Sequence, residues 1–154
     1  ALCLQGRRWF QLQLHGHRSG FQVVEHLPTF TRTVMHENWP EMAAGLSNPL
    51  KELRAGLPEV MKGFSSLAHA ATDGKALDPK TKELIALGIS VAVRCDACIA
   101  FHAEAAVHRG ATRDEVMETM GIAIYMGAGP SVMYAAQAVE AYDQFRAKAD
   151  AEKV

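Results

Sequence analysis

The feature that most restricts the fold is the segment 84–93, in which every residue except Ser90 is apolar or glycine. Asp78 and Pro79 precede it as a helix start, since an aspartate caps the first turn and a proline fits the first helical position. A helix that is apolar around most of its circumference is buried on most sides. The segment therefore predicts a central helix that packs inside the domain or against another subunit, and we expect a homo-oligomer.

Helix signals follow one another from Glu41 to the end of the chain, with short connections between them. Gly110 is typical of a helix end, Thr112 and Glu115 have the spacing of a capping box, and 127–130 is expected to break the helix that follows. The predicted helices cover 49–55, 58–73, 79–93, 95–109, 112–125 and 130–148. The pattern predicts an all-α fold, a compact bundle of about six helices.

Composition excludes several classes of protein. The 154 residues carry a net charge of −1, which gives no reason to expect a nucleic acid or an anionic membrane as partner. No apolar run approaches the roughly 18 residues of a membrane span, and 1–10 lacks the apolar stretch of a secretory signal.

The three cysteines, Cys3, Cys95 and Cys98, do not form the even set of a secreted disulfide framework. We expect a cytoplasmic protein whose close cysteine pair is catalytic or binds metal.

Residues 1–34 differ from the rest because their apolar residues follow no helical period. The segments 12–15 and 21–24 alternate as short strands do, and Glu25 is the only acidic residue against four arginines. Met35 is the first methionine of the chain. We therefore expect an N-terminal arm over 1–34, either a non-native extension or an oligomer contact, followed by one domain over 35–154.

Cys95, Cys98 and His102 form the motif that carries chemistry. Their spacings of three and four residues place the three side chains on one face of a helix. A thiol, with a pKa of about 8.5 when free, becomes a nucleophile only on deprotonation. If Cys95 caps the helix, Cys98 lies in the first turn, where unpaired N–H groups favour a thiolate, and His102 can accept its proton. A thiolate that attacks a peroxide oxygen becomes a sulfenic acid, which a second thiol converts into a disulfide. The motif favours a thiol-based redox enzyme.

Glu83 is a fourth candidate, twelve residues before Cys95 on the preceding helix. If that helix packs antiparallel to the cysteine helix, the carboxylate can approach the pair and relay protons. Taken alone, a glutamate in this position is more often a solvent-exposed helix residue.

Residues 83–102 and 105–115 closely resemble the core of the alkylhydroperoxidase D-like branch of the carboxymuconolactone decarboxylase family. The shared pattern is Glu83, eleven residues, the CxxC pair, three residues, His102 and a Gly-Ala-Thr helix start. The resemblance implies that the domain 35–154 is an all-helical domain of this type, which assembles into dimers, trimers or hexamers. It also implies that Cys98 attacks the peroxide, that Cys95 is the resolving thiol, and that His102 and Glu83 relay protons.

The sequence departs from the family pattern at Ala97, where alkylhydroperoxidase D proteins carry a histidine. This departure implies weaker activation of the cysteines than in a dedicated peroxidase. The lactone decarboxylase branch typically lacks the CxxC pair, so its presence here favours redox chemistry. We expect a peroxide as substrate, a thiol or dithiol protein as reductant, and no cofactor beyond the Cys95–Cys98 pair.

Other interpretations of the same residues stay open. His102 and Glu83 can serve as acid and base of a lactone decarboxylase-like lyase, and the cysteine pair can act as a non-catalytic redox sensor. The two cysteines can also be buried structural residues. A zinc site would use Cys95, Cys98 and His102 with His108 or His69, although no second pair has finger-like spacing.

Overall fold

Six α-helices make up most of residues 38–153, which are the residues that the computed structural model describes. They are α1 (Trp39–Gly45), α2 (Ser47–Gly56), α3 (Pro58–Thr72), α4 (Pro79–Val93), α5 (Asp96–His108) and α6 (Arg113–Ala151). The predicted all-α fold is confirmed. The predicted arm, with its two short strands and Cys3, lies outside the described residues and stays a prediction.

The helix starts follow the predicted capping signals. The Asp78 carboxylate accepts a hydrogen bond from the Thr81 amide at 3.0 Å and begins α4. At the start of α6, the Thr112 hydroxyl accepts from the Glu115 amide at 3.2 Å, and the Glu115 carboxylate accepts from the Thr112 amide at 2.8 Å. Each bond satisfies an amide that has no partner within its own helix, which is why these short motifs fix the boundaries.

The core lies where α4, α5 and α6 pack against one another, with α1 covering α5 and α6. Leu87 and Val91 of α4 and Ile99 of α5 are fully buried there. Many of the other buried positions are alanines: Ala43, Ala100, Ala103, Ala106, Ala111, Ala123, Ala135, Ala138 and Ala141. Such small side chains let the helices approach closely. Within residues 38–153, no helix combines the length and apolar character needed to cross a membrane.

The predicted break at 127–130 is confirmed, because two helical segments of α6 meet here at a kink. Ala128 has φ 54° and ψ −149°, and α6 continues on both sides of it to Ala151. Ser131 is buried, and its Oγ would lie 1.9 Å from a Cβ added at Gly127, so that position accommodates only glycine without rearrangement. The sequence correctly indicated both the break and the further helical segment that follows it, which contains Pro130.

Replacing Ala128 by glycine is expected to stabilise the protein. A non-glycine residue in this backbone region costs about 1–3 kcal/mol, while glycine adds about 0.5–1 kcal/mol of unfolded-chain entropy. We therefore expect a net gain of roughly 1 kcal/mol, measured as a higher urea midpoint at matched protein concentration. The control Ala136→Gly lies at an exposed helical position of α6 and is expected to lose about 0.5–1 kcal/mol. Equal destabilisation by both changes would contradict the expectation.

Large apolar side chains remain exposed outside this core. The structure confirms burial of Leu87 and Val91 on α4, but Ile85, Ile89 and Val93 on its outer side are 46, 56 and 62% exposed. The chain's own domain therefore covers the inner side of α4, and the expected cover of its outer side by another subunit stays a prediction. Neither α2 nor α3 contains a buried residue.

Candidate active site

The turn between α4 and α5 places the cysteine motif. Arg94 adopts the left-handed conformation with φ 58° and ψ 49°. The Arg94 amide donates to the Val91 carbonyl at 3.3 Å, and the Cys95 amide donates to the Ser90 carbonyl at 3.1 Å. These bonds close the last turn of α4 and fold α5 back along it. The chain therefore enters α5 directly at Cys95, with no intervening loop.

Cys95 is the cap of α5, and it is joined to Cys98 by a disulfide. The Cα atoms of the two residues lie 5.2 Å apart, and the Cys95 sulfur accepts a hydrogen bond from the Cys98 amide at 3.2 Å. Both residues are partly exposed. The pair thus lies at the positive end of the α5 dipole, which favours a thiolate once the disulfide is reduced. Its partial exposure also lets a molecule in solvent reach the sulfur atoms.

His102 and Glu83 form the second part of the site. The ring nitrogen Nδ1 of His102 donates to Oε2 of Glu83 at 2.9 Å. The Glu83 side chain is only 13% exposed, and that of His102 is 36% exposed. The α4–α5 packing therefore brings together two residues that are 19 positions apart in the chain.

This hydrogen bond determines which ring nitrogen of His102 can act as a base. A carboxylate can only accept, so Nδ1 carries the proton and the lone pair lies on Nε2. Among residues 38–153, no hydrogen-bond partner occupies Nε2. Cys98 lies one helical turn before His102 on the same face of α5. The arrangement can take a proton from a group near the cysteine sulfur and return it.

The helix that carries the motif is firmly anchored beneath it. Ile99 and Ala100, which lie between Cys98 and His102, have no exposed surface. Phe101, on the outer side, is 39% exposed. The cysteine pair and the imidazole are therefore carried by a helix whose inner side is packed into the apolar core. Such packing keeps the distances between reactive groups constant.

The other candidate residues lie elsewhere. His108 is exposed near the last turn of α5, and His69 lies on α3 in an open cavity of 1010 Å³ that also borders Lys62 and Arg109. The described residues contain no group of three or more histidine, cysteine or acidic side chains placed to hold a metal.

Two residues near the site escaped the sequence analysis. Ser90 is 3% exposed, its hydroxyl donates to the Ala86 carbonyl at 2.8 Å, and its own carbonyl holds the Cys95 amide. A lone hydroxyl in an apolar helix was the signal available for it. Arg94 gave no signal, because the residue expected in a left-handed helix end is glycine or asparagine.

Comparison with known proteins assigns the chain to a family. The sequence pattern of the carboxymuconolactone decarboxylase family matches residues 58–141. The chain belongs to the carboxymuconolactone decarboxylase family. The matched region runs from the start of α3 into α6, and it includes Glu83, Cys95, Cys98 and His102.

Two uncharacterised bacterial proteins are similar in sequence to this family member. An uncharacterised protein of Cupriavidus necator is 39% identical over 90 residues, covering 58% of this chain and 80% of that protein. An uncharacterised protein of Haemophilus influenzae is 38% identical over 108 residues, covering 70% of this chain and 96% of that protein.

Two solved structures share the fold. A carboxymuconolactone decarboxylase family protein of Legionella pneumophila has a TM-score of 0.69 and 50% identity, covering 70% of this chain and 96% of the other. A family member of Thermotoga maritima, described as having a possible role in the antioxidative response, has a TM-score of 0.63 and 28% identity. This likeness covers 71% of this chain and 97% of the other.

Proposed function

We propose that this family member is a thiol-dependent peroxidase, an antioxidant enzyme that reduces peroxides through a Cys95–Cys98 dithiol/disulfide cycle. The observation that carries the proposal is the cysteine pair at the start of α5, one turn from a His102 that is held by Glu83. The description of the Thermotoga maritima relative as possibly antioxidative adds support.

The first step is attack of the Cys98 thiolate on the outer oxygen of a peroxide. His102 takes the thiol proton at Nε2, the S–O bond forms and the O–O bond breaks. The electron pair of that bond leaves on the second oxygen, which receives the proton from His102 and departs as an alcohol or water. Cys98 is oxidised to a sulfenic acid, and the peroxide is reduced by two electrons.

The second step forms the disulfide that the structure contains. The Cys95 thiol attacks the Cys98 sulfur, the S–O bond breaks, and the hydroxide takes up a proton and leaves as water. A dithiol protein then reduces the disulfide by thiol–disulfide exchange, through a mixed disulfide, and becomes oxidised itself. The cycle uses no metal or organic cofactor.

Glu83 acts through His102 in this scheme. Its carboxylate holds the imidazole in the tautomer that leaves Nε2 available, and it stabilises the imidazolium formed when the thiol proton is taken up. Since Glu83 is largely shielded from water, this stabilisation is weakly screened by solvent.

The proposal also covers the location, assembly and partners of the protein, and the rate at which it turns over peroxide. We propose a cytoplasmic homo-oligomer whose partners are a small peroxide and a thiol or dithiol reductant protein, with neither nucleic acid nor membrane bound. Because Ala97 stands where alkylhydroperoxidase D proteins carry a histidine, we expect slower turnover than in a dedicated peroxidase.

An anaerobic thiol count tests the proposal. The reduced protein is treated with one equivalent of hydrogen peroxide or of an alkyl hydroperoxide, and free thiols are counted before and after. We expect loss of the Cys95 and Cys98 thiols together, and steady-state peroxide consumption when dithiothreitol is supplied. Peroxide that persists beside intact thiols would rule the proposal out.

A lyase of the lactone decarboxylase type is a second candidate, because the His102–Glu83 pair is also an acid–base pair and the family includes such enzymes. Alkylation of the cysteines separates the two functions, since a lyase would keep its activity and a peroxidase would lose it.

A redox sensor without catalysis would instead change its oligomer size on oxidation and consume no more than one peroxide per disulfide.

A further inference from the structure

The open cavity of 1010 Å³ that borders His69 is lined mainly by the polar face of α3. Its polar and charged residues from this helix and its cap recur at spacings of three and four, so they share one side of the helix: Lys62, Ser65, Ser66, His69 and Asp73. Pro79 at the start of α4 and Arg109 at the end of α5 contribute to the opposite wall. Three helices therefore form the cavity, and α3 supplies most of its polar groups.

Several side chains in this cavity are donors without a protein partner. Lys62 and Arg109 are exposed cations, and within residues 38–153 neither forms a hydrogen bond or an ion pair. In that same part of the chain, the hydroxyls of Ser65 and Ser66 and the imidazole of His69 are also without a protein partner. An ammonium and a guanidinium can only donate hydrogen bonds. The lining thus offers two fixed positive charges and three further groups able to donate.

Backbone acceptors at the same end of α3 are already occupied. The His69 carbonyl accepts from the Asp73 amide at 2.9 Å. The Lys82 ammonium donates to the Ala71 carbonyl at 2.8 Å and also to the Asp73 carbonyl. Carbonyls at a helix C-terminus carry partial negative charge, and these bonds reduce it. Among the lining residues, Asp73 is the one with an acidic side chain, against the two cations.

We propose that this cavity binds a small polyanion that carries phosphate or carboxylate groups. The Arg109 guanidinium can bind either group through two parallel hydrogen bonds, and the Lys62 ammonium adds a second point charge. The volume is at the upper end of the range for small-molecule sites, about 300–1,000 Å³, so the cavity has room for more than a single inorganic ion. A neutral or cationic ligand would leave both cations without a counter-charge.

The cavity is distinct from the candidate active site. Arg109 follows Cys98 by eleven residues and lies at the other end of α5, about 16 Å away along the helix axis. Neither Cys95 nor His102 lines the cavity. The proposed ligand is therefore a molecule other than the peroxide, and the proposal stands independently of the peroxidase cycle.

Titration calorimetry on the full chain tests the proposal, with pyrophosphate and citrate as probes at constant ionic strength. We expect saturable binding of at least one of them, with a Kd below about 1 mM. Binding of pyrophosphate alone indicates a phosphorylated ligand, and binding of citrate alone indicates a polycarboxylate; either result supports the site. Lys62→Gln and Arg109→Gln are each expected to weaken binding by about 10-fold or more, because each removes a charged hydrogen-bond donor.

Two further variants separate a built site from general attraction by positive charge. Lys51→Gln/Arg54→Gln removes the same two charges from α2, outside the cavity, and is expected to keep the wild-type affinity. Asp73→Asn removes the carboxylate that opposes an anion and is expected to tighten binding several-fold. Circular dichroism verifies that each variant is folded.

Three results would each overturn the proposal. The first is the absence of saturable binding by both anions. The second is equal weakening by Lys62→Gln/Arg109→Gln and by the α2 double variant. The third is failure of Asp73→Asn to tighten binding.

Discussion

Replacing Cys98 by serine is expected to reduce peroxide turnover to the background rate, a loss of at least about 10³-fold in kcat/KM. The serine hydroxyl is a poor nucleophile at neutral pH and cannot form the sulfenic acid or the disulfide. The change removes no core packing, since Cys98 is only partly buried at the first turn of α5. The measurement is steady-state consumption of an alkyl hydroperoxide with excess dithiothreitol.

Cys95→Ser provides the matched comparison for this result. Serine is among the preferred helix caps, so its hydroxyl can accept the Cys98 amide and α5 is expected to start at the same residue. The variant retains the attacking thiol but not the resolving one. We therefore expect a single turnover at most when no thiol reductant is present, with a sulfenic acid left on Cys98 for a trapping reagent. Wild-type turnover in both serine variants would refute the peroxidase proposal.

The second large effect is expected at the proton relay. His102→Gln removes the base next to Cys98 and is expected to lower kcat/KM by about 10²–10⁴-fold, the usual contribution of a positioned general base. Glu83→Gln keeps the shape and a hydrogen-bond acceptor for Nδ1 but loses the charge that stabilises the imidazolium. We expect a smaller loss for it, about 10-fold or more.

A double-mutant cycle distinguishes this relay from two unrelated defects. In the proposed mechanism Glu83 acts through His102, so adding Glu83→Gln to His102→Gln is expected to cost almost nothing further. Glu118→Gln, an exposed glutamate of α6, is the control and is expected to keep the wild-type rate. Fully additive losses, or an unchanged rate in His102→Gln, would show that the pair does not act as a proton relay.

Cysteine substitution separates the proposed peroxidase from the competing lyase on chemical grounds. Both functions use the imidazole that Glu83 holds, so loss of activity in His102→Gln is common to the two. The cysteines belong to the peroxidase alone, since a lyase needs no electron transfer. The response to cysteine substitution, rather than to removal of the base, therefore decides between them.

Local structure was largely predictable because it depends on residues that are neighbours in the sequence. The caps at Asp78 and Thr112 satisfy backbone amides within three positions, and the CxxC spacing fixes how Cys95 and Cys98 share a helix turn. The same local reasoning is confirmed at 127–130, where the non-helical Ala128 separates two helical segments of α6.

The sequence by itself determined the helices that follow α1, the alignment of Cys98 with His102 on one face, and Glu83 as a candidate. Only the tertiary structure decided that Glu83 reaches Nδ1 of His102, because that contact depends on how α5 folds back along α4 through Arg94. It also decided which apolar residues stay uncovered. Hydrophobic periodicity marks the face that a helix buries but not the surface that covers it, and the exposure of Ile89 and Phe64 became evident only when the helices packed.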